Sequence, residues 1–168
     1  HALVRRQRQM CIRDRSIGAG SAPIVRGATI DGLITRGLNL WGNSGGLLSD
    51  LEISNISGST MAISAGIWVE DSIPLIEESS IKRSDNGIFV RHITEGWTTR
   101  PTFASVVVED SMYRGVMVEQ YNHSQYSNLP LNAIFNDITV RGTGGPGAKT
   151  QGLSVAAFDI NTSGVHID

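Results

Sequence analysis

Two segments carry most of the side chains that could do chemistry on a ligand. Residues 92–101 and 119–130 hold aromatic, imidazole and charged groups: His92, Trp97, Arg100, Glu119, Tyr121, His123 and Tyr126. Aromatic faces pack on the C–H faces of sugar rings, a guanidinium binds a carboxylate through two hydrogen bonds, and an imidazole moves protons near neutral pH. The combination predicts a site for an acidic carbohydrate.

One chemistry that fits these groups is β-elimination on a uronate polymer. It needs a cation that neutralises the sugar carboxylate and a base that removes the C5 proton. Arg91 or Arg100 could supply the cation, and His92 or His123 the base, with Tyr126 as a further candidate base. We therefore take these two arginines and two histidines as the candidate catalytic residues.

Hydrolysis is a second chemistry, and it needs two carboxylates. They lie about 5–5.5 Å apart in retaining enzymes and about 6.5–9.5 Å apart in inverting ones. The candidate pairs are Glu70 with Asp71 and Glu119 with Glu95. None of these sets matches a family's catalytic motif, so the choice between hydrolysis and elimination stays open.

Metal chemistry finds little support in the residue spacing. Calcium prefers several converging oxygen ligands, and Glu109, Asp110 and Asp71 are too few to define such a site. The four histidines show no metal-binding spacing. We predict no cofactor and no metal ligands, and calcium lacks a recognisable site.

The elements that must position these loops form an internal repeat. One short pattern, glycine, apolar residue, any residue and valine, occurs four times: Gly66-Ile67-Trp68-Val69, Gly87-Ile88-Phe89-Val90, Gly115-Val116-Met117-Val118 and Gly152-Leu153-Ser154-Val155. A second strand type alternates with it: Leu51-Glu52-Ile53, Ser79-Ser80-Ile81, Val106-Val107-Val108 and Ile138-Thr139-Val140. The common period of about 28 residues, rich in β-branched residues, predicts alternating short strands. We expect the repeated glycines to turn the backbone at positive φ.

Residues 24–168 resemble the right-handed parallel β-helix repeats of the pectate-lyase-like superfamily. The resemblance rests on units such as Asp50-Leu51-Glu52-Ile53-Ser54-Asn55 followed by Gly66-Ile67-Trp68-Val69. It implies an all-β solenoid of about five coils, truncated at both ends, from a secreted or cell-surface protein that binds or cleaves acidic polysaccharide. An antiparallel β-sandwich or jelly roll is the alternative fold, since its strand spacing is similar.

Alternation along the first strand type predicts which side chains face outward. Ile67, Val69, Ile88 and Val90 should point inward with their counterparts in the later copies, which leaves Trp68, Phe89, Met117 and Ser154 outside. Trp68, Phe89 and Met117 could form a sugar-stacking platform, and the alternative is that a loop, a terminal segment or a partner subunit covers them. Two charged rows should stack across the coils: Glu70, Arg91 and Glu119 on one sheet, and Ser54, Lys82, Glu109 and Arg141 on the other.

The composition narrows the classes of partner. Residues 1–15 hold five arginines and the only cysteine, and they resemble translated sequencing-adapter read-through, so we treat them as a non-native tail. Residues 16–168, the expected β-helix domain, keep nine basic and 15 acidic residues, which argues against nucleic acid as a partner. No apolar run reaches the roughly 20 residues of a membrane-spanning helix.

The sequence thus predicts an extracellular or cell-surface β-helix module that binds acidic polysaccharide. If it is an enzyme, it is a polysaccharide lyase or a glycoside hydrolase. The candidate substrate-binding residues are Trp68, Phe89, Trp97, Glu119, Tyr121 and Tyr126. The alternative is a non-catalytic structural or adhesive β-helix of a large surface protein or phage tail spike, the latter implying a homotrimer.

Overall fold

The computed structural model describes residues 15–32, 35–58, 64–94, 96–120, 131–144, 151–156 and 165–167, and these residues are all-β without a helix. They form twelve strands: β1 (Arg15–Ile17), β2 (Ile24–Asp31), β3 (Arg36–Leu40), β4 (Leu47–Ile56), β5 (Ala65–Glu70), β6 (Leu75–Ser84), β7 (Asn86–His92), β8 (Thr102–Glu109), β9 (Arg114–Gln120), β10 (Ile134–Arg141), β11 (Gln151–Ala156) and β12 (Val165–Ile167). The first fourteen residues of the expected non-native tail lie outside this description, and Arg15 begins β1.

The strands alternate between two parallel sheets. Odd-numbered strands form one sheet in the order β1-β3-β5-β7-β9-β11, and even-numbered strands form the other in the order β12-β10-β8-β6-β4-β2. We call them the odd sheet and the even sheet. Each strand pairs in parallel with the strand two places along the chain, so the predicted alternation of two strand types is confirmed. The antiparallel alternative is wrong for this chain.

The main core lies between the two sheets. Ile67, Val69, Ile88 and Val90 of the odd sheet are fully buried there, as the alternation predicted. The even sheet contributes Leu48, Ile53, Ile76 and Ile81 among others. Phe103 and Phe135 stack in register on neighbouring strands, with ring centroids 5.2 Å apart. Stacking like residues in successive strands lets each strand bury its apolar face against the next.

The repeated glycines serve close packing of the two sheets. A Cβ on Gly66 would overlap the Cγ2 atom of Ile81, and one on Gly87 would overlap Cγ1 of Val108. Neither glycine has a positive φ, so the expectation of a left-handed turn at these positions is wrong. The strand type requires glycine because β-branched residues of the even sheet fill the space that a side chain would occupy.

Left-handed residues do occur in register, but on the even strands. Asp50, Glu78, Ser105 and Asp137 have φ between 49° and 55°, and they align with Gly27 of β2. Small polar residues and glycine tolerate this conformation best. The five even strands from β2 to β10 therefore bend at the same point, which divides this part of the even sheet into two facets.

The predicted charged row on the even sheet is confirmed. Ser54, Lys82, Glu109 and Arg141 lie in register on four successive strands. The Lys82 ammonium lies 2.8 Å from Glu109, and Arg141 Nε donates to the same carboxylate at 2.5 Å. The hydrogen bond from Lys82 is the main reason that the pKa of Glu109 is lowered, and Arg141 adds to it.

Candidate functional site

Two aromatic side chains on the outer face of the odd sheet are buried. Trp68 and Phe89 point away from the main core, as predicted, but they are only 2% and 0% exposed. Their ring centroids lie 4.2 Å apart, and with Ala65 and Met117 they form a second hydrophobic cluster. The Arg36 guanidinium carbon lies 3.8 Å from the centroid of the Trp68 ring. Of the two alternatives for these side chains, burial agrees with the covered one and not with an open sugar-stacking platform.

Beside this cluster runs the predicted charged row of the odd sheet. Arg91 aligns with Glu70 on one neighbouring strand and with Glu119 on the other, which confirms the register. All three side chains are partly buried. Opposite charges at directly facing positions of a parallel ladder favour this register.

His92 lies inside the molecule at the end of β7. It is buried, as are Asp71 and Thr99 beside it. His92 Nδ1 lies 3.0 Å from Asp71 Oδ1 and 2.6 Å from Thr99 Oγ1, while the buried Nε2 has no hydrogen-bond partner. A base that removes a proton from a polymer must reach that polymer. Both His92 and Asp71 are buried, so neither group is at the surface where a polymer could reach it directly.

Burial sets the protonation state of His92. Desolvation lowers the pKa of His92 below its ordinary value, and the negative charge of Asp71 only partly opposes that effect. The imidazole is therefore neutral at neutral pH. In this state its Nδ1–H can donate to the Asp71 carboxylate, and the pair acts as a hydrogen-bonded structural unit.

Asp71 holds the segment that follows β7. Its Oδ1 atom accepts hydrogen bonds from the backbone N–H of Ile93 at 2.9 Å and of Thr94 at 3.3 Å, and from the Thr99 hydroxyl at 3.4 Å. These bonds tie both ends of the loop to the corner between β5 and β6. We call Asp71, His92 and Thr99 the loop clamp.

The clamped loop presents Trp97 at the surface. The backbone N–H of Trp97 donates to the Thr94 carbonyl at 3.3 Å. Gly96, inside that turn, has a φ of 79°, a conformation that favours glycine. Trp97 is 40% exposed. Its Cη2 atom would lie 3.8 Å from a Cβ on Gly42, so the loop reaches back past Asp71 to the segment after β3.

Trp41 flanks the same corner. It is 44% exposed, its indole covers Gly18, and its Nε1–H donates to Ser16 Oγ at 2.9 Å. The Trp41 indole therefore packs against Gly18, the tip of the Trp97 indole lies near Gly42, and both rings are partly exposed. We call Trp41, Trp97 and their surroundings the aromatic corner. The sequence interpretation missed Trp41; its only signal was its place directly after the looser first copy, Gly37-Leu38-Asn39-Leu40.

Arg100 adds a positive charge to the aromatic corner. Its backbone N–H donates to the Ser72 carbonyl at 3.1 Å, while its side chain is exposed. Within the part of the chain that the structure describes, the Arg100 side chain makes no ion pair. The buried hydroxyls of Ser44 and Ser72 lie 3.0 Å apart, and their hydrogen bond joins the segment after β3 to the segment after β5.

The remaining predicted site residues cannot be placed. Tyr121, His123, Tyr126 and Glu95 lie outside the described residues. In the described ranges, no three His, Cys, Asp or Glu side chains are grouped to hold a metal ion, and no helix is long and apolar enough to cross a membrane. A scan against protein-family models found no match for the chain, and a search of the curated proteins found none either.

Proposed function

We propose that the two sheets are the walls of a right-handed parallel β-helix of about five coils and that its aromatic corner binds an acidic polysaccharide. The fold proposal is supported by the strict alternation of strands between two parallel sheets and by the bend that recurs in the five even strands from β2 to β10. The resemblance of the repeats to the pectate-lyase-like superfamily supports an extracellular or cell-surface location as part of this proposal.

The observation that carries the binding proposal is the composition of the aromatic corner. Two half-exposed indoles lie near backbone glycines, and the loop that carries Trp97 also carries Arg100, whose exposed side chain has no ion-pair partner among the described residues. Indole faces suit the C–H faces of pyranose rings, and a guanidinium suits a uronate carboxylate. Polar loop side chains alone would favour neutral and charged ligands equally, whereas Arg100 favours a charged one.

Binding is better supported than cleavage. His92 and Asp71, two of the candidate proton-transfer groups, are buried and hydrogen-bonded to each other. This favours a non-catalytic glycan-binding module of a surface protein over a lyase or hydrolase. Incubation of the chain with polygalacturonate, followed at the ultraviolet absorbance of unsaturated sugar ends, should show no increase; an increase would restore the lyase hypothesis and direct attention to Arg91, Arg100 and His123.

The binding proposal is tested by titrating polygalacturonate and a neutral galactan into the full chain by calorimetry. Trp97→Ala should weaken polygalacturonate binding by about 2–10-fold, as expected for one lost stacking contact. Tyr113→Ala is the matched control, because Tyr113 is similarly exposed, at 42%, but follows an even strand. Equal losses in both variants, or none in either, would contradict the placement of the site.

The charge preference is tested at Arg100. Arg100→Gln should weaken polygalacturonate binding by about 10-fold or more and leave galactan binding unchanged, since a charge-assisted hydrogen bond is lost. Arg100→Lys should retain part of the affinity and its salt dependence. The acidic preference would be overturned if the unmodified chain bound polygalacturonate and galactan with equal affinity and Arg100→Gln did the same.

A further inference from the structure

An outward apolar row crosses the first facet of the even sheet. Ile24, Leu47 and Leu75 align in register at the starts of β2, β4 and β6. Ile24 is 73% exposed and Leu75 37%, and Leu47 is partly buried between them. The following residues, Val25, Leu48 and Ile76, point to the core, so this row faces away from it. Contiguous apolar side chains on a sheet face mark a contact surface.

A polar row lies two residues further along the same strands. Arg26, Ser49 and Glu77 are in register with one another on the same side of the sheet as the apolar row, and Ser49, between the two charged residues, is buried. Arg26 is exposed and Glu77 is partly buried. Among the ion pairs of the described residues, none involves Arg26 or Glu77. The row therefore runs from an unpaired positive charge, through a hydroxyl, to an unpaired negative charge.

We propose that this face binds a second copy of the chain. The two copies are related by a two-fold axis that runs parallel to the strands, midway between the facing sheets and above Leu47 and Ser49. Rotation about such an axis keeps positions along the strand and reverses their order across the sheet. Ile24 of one copy then faces Leu75 of the other, Leu47 faces its own counterpart, and Arg26 faces Glu77. Both rows are self-complementary under this single operation.

Charge complementarity selects this partner and this orientation. In a two-fold interface, if one residue of the first copy contacts a second residue of the other copy, the reverse contact is also made. Two opposite charges at equal distances from the axis therefore produce two ion pairs. A two-fold axis across the strands, at the level of Ser49, would keep the two coil axes parallel. It would set Arg26 against Arg26 and Glu77 against Glu77, which is unfavourable. The antiparallel arrangement, in which the strands of the two copies run in the same direction and the coil axes run in opposite directions, is therefore the one that satisfies both rows.

The size of the face sets the expected affinity. Two rows about 7 Å apart on strands about 4.8 Å apart cover far less than the roughly 800 Å² per partner of a standard interface. The dimer should therefore form reversibly and at high protein concentration. Facing sheets lie about 10 Å apart, beyond the reach of a disulfide, whose Cα atoms are at most about 7 Å apart.

The test uses a short bismaleimide cross-linker on single-cysteine variants of the full chain, with the native Cys11 replaced by serine. Leu47→Cys should cross-link to itself as a dimer, because its two copies face each other across the axis. Thr29→Cys is the control: it is an exposed outward position on β2, beyond the bend and off the proposed face. Equal dimer yields at the two positions would overturn the proposal.

Charge reversal tests the orientation. In the Leu47→Cys background, Arg26→Glu and Glu77→Arg should each lower the dimer yield by about five-fold, since each creates two like-charged contacts. The double variant, Arg26→Glu with Glu77→Arg, should restore the yield to that of the parent. Both charges are at the surface, so circular dichroism should be unchanged in every variant. A double variant that cross-links as poorly as the single ones would refute the antiparallel arrangement.

Discussion

The molecule carries two aromatic surfaces, and they behave in opposite ways. Trp68 and Phe89 lie on regular strands of the odd sheet and are buried in their own hydrophobic cluster. Trp41 and Trp97 lie in the segments that leave the same sheet, and both are about half exposed. A flat strand face offers a surface that another segment can cover, whereas a turn holds its side chains beyond the edge of the sheet.

The difference also lies in how each surface is held in place. The cluster of Trp68 and Phe89 is fixed by strand register, since the two residues are directly paired on β5 and β7. Trp97 depends on the loop clamp, in which one carboxylate oxygen of Asp71 accepts several hydrogen bonds. The cluster of Trp68 and Phe89 therefore stabilises the fold by packing, and the proposed binding surface is the aromatic corner.

The largest contrast should appear in stability. Trp68→Ala should lower the free energy of unfolding by about 3–5 kcal/mol, because it leaves a cavity beside Phe89. Trp97→Ala should lower it by less than about 1 kcal/mol, because the ring is half exposed. Urea denaturation of both variants measures the difference. If Trp68→Ala unfolds too readily to be measured, Trp68→Phe, which keeps most of the volume, gives the same ranking; similar losses for Trp68→Phe and Trp97→Phe would remove the distinction.

A second contrast compares a glycine in each region. Gly66→Ala, two residues before Trp68, should cost about 1–3 kcal/mol, since the new methyl group would overlap Ile81. Gly96→Ala, next to Trp97, meets open space and should cost about 1 kcal/mol through its positive φ alone. Combining Gly66→Ala with Ile81→Ala should recover part of the first loss in thermal unfolding. Strictly additive losses in this pair would contradict the packing explanation.

The sequence predicted the strand order well and the surface poorly. Alternation placed Ile67 and Ile88 toward the core and Trp68 and Phe89 away from it, because the two faces of a strand are fixed by a period of two. The register of Lys82, Glu109 and Arg141 followed from the repeat in the same way. Whether an outward face is covered depends on segments distant in the chain, and no local pattern encodes that.

The loop clamp was missed for a related reason. His92 continues the alternation of Ile88 and Val90, so its inward direction was available from the sequence, but its position in a long loop directed attention to catalysis. Asp71 was assigned a catalytic role because of its neighbour Glu70. Only the way that the chain folds back brings Asp71, His92 and Thr99 together. Glycine at 66 and 87 was recognised as necessary, while its reason, the close approach of Ile81 and Val108, required the packing of the second sheet.

The last contrast is in the response to pH. The pKa of His92 is lowered by burial, so the folded chain stays neutral at His92 where the unfolded chain, with an ordinary pKa near 6.5, already binds a proton. Stability is therefore fully present above about pH 6.5 and is lost as the pH falls below it, because the unfolded state binds more protons. The cluster of Trp68 and Phe89 holds no titratable group and should not share this local response.

Amide hydrogen exchange separates the two regions. Protection of the Ile93 and Thr94 amides, which donate to Asp71, should fall between pH 7.5 and pH 5.5 after correction for the intrinsic exchange rate, whereas protection of the Phe89 amide should change less. His92→Gln removes the titrating group and should flatten the response of both loop amides. An equal loss of protection in both regions would mean that acid acts on the whole fold; a response that persists in His92→Gln would mean that another group under the loop titrates. Since Trp97 is positioned by this clamp, polygalacturonate binding should weaken over the same pH interval as the loop amides lose protection, and in the unmodified chain alone.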